Sequence, residues 1–236
     1  MEKGKKIPAA TIFRLSVYRQ HLLEMRKQGR RTVSSLELAS AARVNPAQLR
    51  KDLSYFGRFG VRGVGYSVDG LLQEISTILG LRRPWNLCVL GGGKVGRAII
   101  VSGHLEQRGY FVEAVFDSRP EIIGHSIGPG LVVEDIRGAG ISLPQKEVFL
   151  CMITEEVPDL NGCVHRLLDA GIRGFLSLVP VSASIPPTIP VQYMDFTTLL
   201  DTLAYTLTHS VNRGGPDFLE GEPVTTEKPP IGACLV

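Results

Sequence analysis

The chain has 236 residues, a formal net charge of +3, and 44% apolar side chains. That is enough apolar material for packed cores, so a mainly disordered chain is excluded. No uninterrupted apolar run approaches the roughly 20 residues of a membrane span. The four cysteines form no metal-type pair and no framework of a small secreted domain. The basic start lacks the apolar stretch of a secretory signal, which points to the cytoplasm. The charge is divided unevenly. Residues 1–85 carry 16 Lys and Arg against 6 Asp and Glu, whereas residues 86–236 carry 10 against 17. The imbalance predicts two modules with different partners.

In chain order, the spacing predicts a helix over Pro8–Lys27, with Leu15, Tyr18, Leu22 and Met25 on one stripe and Gly29 ending it. Ser34 and Glu37 form a capping-box pattern that starts a second helix at Ser35, running to about Ala42. Asn45, Pro46 and Gln48 supply an N-cap, an N1 proline and an N3 amide for a third, from Pro46 to about Phe56, with Leu49, Leu53 and Phe56 inward. Gly57 to Tyr66 holds four glycines and suits a tight hairpin. Ser67–Leu79 is again helical, and Arg82-Arg83-Pro84 reads as a linker.

Beyond it the pattern alternates. Short apolar strands are expected at Asn86–Leu90, Phe111–Phe116, Val148–Ile153, Gly174–Val179 and Val191–Met194. Helices are expected after the glycine turn to about Arg108, over Leu160–Ala170 and over Leu199–Leu207. Such alternation indicates a parallel sheet covered on both faces. From Val211 onward Pro and Gly dominate, so residues 211–236 are expected to form a disordered tail.

Four constellations could carry function. Gly91-Gly92-Gly93-Lys94-Val95-Gly96 directly follows a strand and opens a helix, the setting in which glycines let backbone amides approach a pyrophosphate. Asp117 ends the next strand, 21 residues after Gly96, where a carboxylate holds adenosine ribose hydroxyls and favours NAD over NADP. The alternative is an ordinary strand-to-helix turn. Second, two short helices around Arg43-Val44-Asn45 have the form of a helix-turn-helix. Its second helix would expose Gln48, Arg50, Lys51 and Ser54, side chains suited to base edges and phosphates in a major groove. A solvated basic face is the competing reading. Third, Arg58 and Arg62 on the glycine-rich ribbon would form a wing that reaches phosphates or the minor groove. Fourth, Asp195-Phe196 follows the last strand at the sheet's ligand-binding edge, although a helix cap and a core ring would look the same. Thr154, ending the third strand, could touch a nucleotide. The histidines have no partner at ligand or catalytic spacing.

Arg50-Lys-Asp-Leu-Ser-Tyr-Phe-Gly57, followed by Arg62-Gly-Val-Gly-Tyr66, resembles the DNA-binding domain of the Rex family of redox-sensing transcriptional repressors. Lys6-Ile-Pro8, Gly91–Gly96 with Arg97-Ala98, Phe116-Asp117, Ala170–Gly174, Val179-Pro180 and Asp195-Phe196 match the same family in order, so the resemblance covers about residues 5–208. It implies an N-terminal winged helix-turn-helix domain over 1–83 and a Rossmann-like parallel-sheet domain over 84–210. It further implies a homodimer with an exchanged terminal helix, double-stranded operator DNA as partner and NAD(H) as regulatory ligand. NADH would release the DNA. Arg50 and Lys51 would contact DNA, Arg62 would be the wing arginine, Gly91–Gly96 and Asp117 would hold the dinucleotide, and Phe196 would lie near the nicotinamide. Thr154 and Pro180 join that site, and Asp195 would belong to the switch.

Three positions depart from the family pattern. Gln20 stands where an Arg commonly pairs with the switch Asp, with Arg19 adjacent. Ser102 replaces a Tyr, and the family's second carboxylate after strand two is Arg119. They leave open a divergent member with an altered dinucleotide response. An NAD(P)-dependent dehydrogenase is the less favoured reading, because residues 86–209 leave no room for a substrate domain and show no His–Asp or Tyr–Lys arrangement.

Overall fold

The computed structural model describes residues 7–57, 59, 60, 64–182 and 185–210. The first helix, α1 (Ala9–Lys27), begins behind Pro8, and the predicted stripe of Leu15, Tyr18, Leu22 and Met25 is buried. Gly29 adopts a left-handed φ of +74° and turns the chain. The strand β1 (Thr32–Val33) leads to α2 (Ser35–Ala41). Its capping box is present, with Ser34 Oγ accepting from Glu37 N at 3.1 Å and the Glu37 carboxylate accepting from Ser34 N at 2.8 Å. A short turn through Arg43 reaches α3 (Pro46–Ser54), capped by Asn45 Oδ1 on Ala47 N at 2.7 Å. The helix stops two residues short of the expected Phe56, whose ring still packs partly against the core.

The hairpin expected over Gly57–Tyr66 lies in part outside the described residues. Its described strand, β2 (Tyr66–Ser67), runs antiparallel to β1, with Val33 opposite Tyr66. Gly65 permits this. A Cβ there would stand 2.6 Å from the Val33 carbonyl oxygen, and its φ is +97°. Gly60 lies against Gly65 and Tyr66. Ser67 caps α4 (Val68–Ile78) through Gly70 N at 3.2 Å, and Leu71, Leu72 and Ile75 close the helical core against α1. Residues 58, 62 and 211–236, which carry the expected Arg58 and Arg62 wing and the tail, lie outside the described residues.

The second half contains β3 (Trp85–Leu90), α5 (Lys94–Val101), β4 (Tyr110–Asp117), β5 (Ser126–Gly128), β6 (Leu131–Asp135), α6 (Ala139–Ser142), β7 (Leu150–Ile153), α7 (Leu160–Asp169), β8 (Gly174–Ser177), β9 (Val191–Tyr193) and α8 (Phe196–Ser210). The strands form one sheet of order β5-β6-β4-β3-β7-β8-β9, parallel except for β5. Alternation along β3 sends Cys88 and Leu90 to the layer under α7, and Leu87 and Val89 to the layer with Ile100 of α5. Three elements of this half were absent from the sequence reading, β5, β6 and α6, and the helix after the glycine turn is shorter than expected. The helix α5 ends at Val101 rather than Arg108, because Ser102 Oγ donates back to the Ile99 carbonyl at 2.7 Å and Gly103 turns left-handed.

The chain winds outward from β3 through β4 to β6, then returns to β7 on β3's other side. This reversal opens a crevice beyond the carboxyl ends of β3 and β7, the place where such sheets take ligands. No described helix is long and apolar enough to cross a membrane.

Candidate functional site

Two regions gather the residues singled out above. On α3, Arg50, Lys51 and Ser54 are exposed on one side, while Leu49 and Leu53 are buried on the other. Arg50 donates to Ser35 Oγ of α2 at 3.2 Å, and Ser54 Oγ donates to the Lys51 carbonyl at 2.7 Å. Gln48 behaves differently from expectation. Its amide does not complete a capping box but donates to Asp52 Oδ1 at 2.8 Å, and the side chain is half-buried. The pull of a buried carboxylate one turn away outweighs the exposed backbone N–H of a cap.

Asp52 is the feature that sequence reasoning missed here. It is fully buried on α3, yet all of its partners converge on it. Arg14 of α1 donates through Nε at 2.6 Å and Nη2 at 2.7 Å, Tyr18 OH at 2.8 Å and Thr11 Oγ1 at 3.1 Å. Burial alone would push this carboxyl up, but the bonds from Arg14, Tyr18 and Gln48 prevail and hold it below the ordinary range. The network fastens α3 to α1. Its only sequence signal was an acidic residue between Leu49 and Leu53 on the inward face, facing Thr11, Arg14 and Tyr18 at helical spacing.

In the crevice, Gly91 follows β3 with φ +105°, and its carbonyl accepts from the buried Thr154 Oγ1 at 2.8 Å. Thr154 thus braces the turn from the end of β7. Gly96 packs so closely that a Cβ would collide with the Gly91 carbonyl oxygen, which fixes α5 against β3. A Cβ on Gly92 would stand 2.6 Å from Val133. Lys94 and Val95 open α5 and are exposed. A side chain at Gly91, Gly92 or Gly96 would meet Thr154, Val133 or the Gly91 carbonyl, whereas Gly93 faces only the carboxylate end of Glu155, an arrangement that suits a backbone cradle for a pyrophosphate.

Asp117 stands at the end of β4, fully buried. Its Oδ2 accepts from Gly92 N at 2.9 Å, which ties the glycine turn to the neighbouring strand. Arg119 grips both oxygens, with Nε on Oδ1 at 2.9 Å and Nη2 on Oδ2 at 2.7 Å. Burial pushes the Asp117 carboxyl up, and the Arg119 and Gly92 donors overcome that and hold it low. Arg119 Nη2 also reaches Glu155 Oε2 at 3.0 Å. Glu155, after Thr154, is a second residue the sequence reading passed over.

Asp195 caps α8, accepting from Thr197 Oγ1 at 2.6 Å, Thr197 N at 2.8 Å and Thr198 Oγ1 at 3.2 Å, bonds that hold its carboxyl below the ordinary range. Phe196 is not a core ring; it is 57% exposed. Pro180, Tyr193, Asp195 and Thr198 line a cleft of about 470 Å³ beyond β8 and β9. Among the described residues, no group of His, Cys, Asp or Glu could hold a metal ion.

Residues 6–54 match a family profile described as "Putative DNA-binding protein N-terminus". The redox-sensing transcriptional repressor Rex of Syntrophobacter fumaroxidans is 42% identical over 205 residues, covering 87% of this chain and 98% of that protein. The chain belongs to the Rex family of redox-sensing transcriptional repressors. Among solved structures, the Rex-family repressor RSP in complex with β-NAD+ and operator DNA is similar with a TM-score of 0.78 at 27% identity, over 87% of this chain and 94% of that one. RSP in complex with β-NADH gives 0.76 at 25% identity, over 87% and 96%.

Within this Rex-family chain the three departures now have surroundings. Gln20 is exposed on α1. Arg19 points elsewhere, donating through Nε to Ser76 of α4 at 3.1 Å, so it is already engaged within the helical core. Ser102 closes α5, and Arg119 covers Asp117.

Proposed function

We propose that this Rex-family chain represses transcription as a homodimer, binding operator DNA through α3 and losing DNA affinity when the reduced nicotinamide dinucleotide is bound. Residues 1–83 are the DNA-binding module and 84–210 the dinucleotide-binding and dimerisation module. Among the described residues, Arg50, Lys51 and Ser54 would contact duplex DNA, a role supported by their exposure on the helix-turn-helix. The single observation that carries the sensor half is the glycine cradle at the topological reversal, with Asp117 at the end of the adjoining strand. Its residues fit NAD(H), because what stands in the space kept open by Gly93 is the movable end of one side chain, Glu155. Gly91–Gly96 would face the pyrophosphate, Asp117 the adenosine ribose, and Pro180, Asp195 and Phe196 the nicotinamide end. When bound, the dinucleotide supplies its oxidation state as the signal. A regulator rather than a dehydrogenase is supported by the relatives, which are named redox-sensing transcriptional repressors.

The homodimer is supported by α8, which exposes Leu199, Leu200, Leu203 and Leu207 along its length. An apolar helix of this kind is stable in water when a second copy covers it. The test is fluorescence anisotropy of an operator duplex, selected from a random pool, as NADH is titrated into the complex. Affinity should fall as NADH saturates. Unchanged affinity at saturation would refute the sensor half and leave the repressor half standing.

A further inference from the structure

Glu155 occupies a position that a simple strand end does not explain. It follows Thr154 at the carboxyl end of β7, across the reversal from the glycine turn. Its Oε1 accepts from Val95 N, in the first turn of α5, at 2.7 Å. Its Oε2 accepts from Arg119 Nη2 at 3.0 Å, and a Cβ on Gly93 would collide with the same carboxylate. The carboxylate therefore lies in the space the glycines keep open, against an amide at the positive end of α5. That end attracts anions, and the chain supplies one of its own. Arg119 links this carboxylate to Asp117, so three charged groups span the floor of the crevice with two negative charges and one positive.

We propose that Glu155 is an internal counter-anion, seated where the pyrophosphate of a dinucleotide would bind, and that it sets the NADH concentration at which this repressor responds. The inference rests on the dinucleotide reading of the crevice. Two physical effects act in the same direction. The carboxylate must give up Val95 N before a phosphate oxygen can take that donor. Once displaced, it remains nearby as a like charge. Arg119 moderates the repulsion but is shared with Asp117. A Gln at this position can still accept from Val95 N, so the substitution removes the charge and keeps the shape.

NADH should bind Glu155→Gln about tenfold more tightly than the parent, equivalent to about 1.4 kcal/mol of relieved competition and repulsion. At the same time the free variant should melt at a lower temperature, because Arg119 and Val95 N lose a charged partner. The opposite signs separate this role from a structural one, in which stability and affinity would fall together. Calorimetric titration of NADH into the parent, Glu155→Gln and Glu155→Ala, with thermal melts of the unliganded proteins, tests the proposal; the Ala variant serves if Gln packs poorly. Tighter binding with reduced stability in either variant supports it. Parent-like or weaker NADH binding in folded variants overturns it. If neither the parent nor the variants bind NADH at all, the dinucleotide reading of the crevice fails, and this inference with it.

Discussion

Replacing Asp52 by Asn removes the charge at the centre of the α1–α3 junction with almost no change of volume. The carboxylate is fully buried and accepts five hydrogen bonds from four side chains. Asn offers one acceptor oxygen and presents a donor where the second oxygen stood, so it faces donors with a donor. Losing one partner of a buried ion pair costs roughly 3–5 kcal/mol. Arg14 is 25% exposed and can rehydrate in part, which places the expected loss near the lower bound, about 3 kcal/mol. That is a large fraction of the roughly 5–15 kcal/mol that holds a domain folded. Denaturant unfolding followed by circular dichroism measures it. The pH dependence has a definite sign. Because the folded Asp52 carboxyl titrates below its unfolded value, its contribution is present above about pH 4 and is lost as pH falls through the folded value. The Asn variant should lack that acid-induced loss. It should also bind operator DNA more weakly, because α3 is no longer fastened to α1, while NADH affinity stays at the parent value. A variant with the parent's denaturation midpoint and acid profile would refute the reasoning.

Gly96→Ala should destabilise the protein by at least about 2 kcal/mol and abolish NADH binding, since its Cβ meets a backbone carbonyl that cannot swing away; thermal melts and calorimetry check both. Arg50→Ala and Lys51→Ala should each weaken operator binding across sequences and lower the magnitude of the log–log salt slope by about 1 if the lost contact is to phosphate. A parent-like slope in both would remove them from the phosphate contacts. Cys88 and Cys151 are opposite each other on β3 and β7, buried, and burial raises the Cys151 thiol well above its ordinary range. Both should therefore resist alkylation in the folded protein and react on unfolding, as mass spectrometry after timed labelling would show.

The helical half was legible because its signals are local. The Ser34–Glu37 pair, Asn45 before Pro46 and the stripe on α1 each act within a turn or two of chain, and all appear where the spacing places them. The glycine turn was legible for the same reason. The strands β5 and β6 escaped because Ser126–Gly128 and Leu131–Asp135 are short and gain their order only by pairing beside β4. The pairing of β2 with β1 depends on a glycine meeting a backbone oxygen from a segment some 30 residues upstream, which periodicity does not record. Asp52 and Glu155 were hidden for a related reason. Each is unremarkable in its own segment, and each acquires its role from partners brought in by another element: Arg14 and Tyr18 in one case, Val95 and Arg119 in the other. Arg119 was visible as a departure, but its grip on Asp117 and Glu155 together belongs to the fold.

The claim that the crevice and α3 communicate is tested most directly by reciprocity. If bound NADH lowers operator affinity by some factor, bound operator must lower NADH affinity by the same factor. NADH dissociation constants should be measured on the free protein and on the protein saturated with operator duplex. The account predicts weaker NADH binding in the presence of DNA, by the factor found in the anisotropy titration. Equal dissociation constants in the two states would show that the sites are uncoupled and would contradict it.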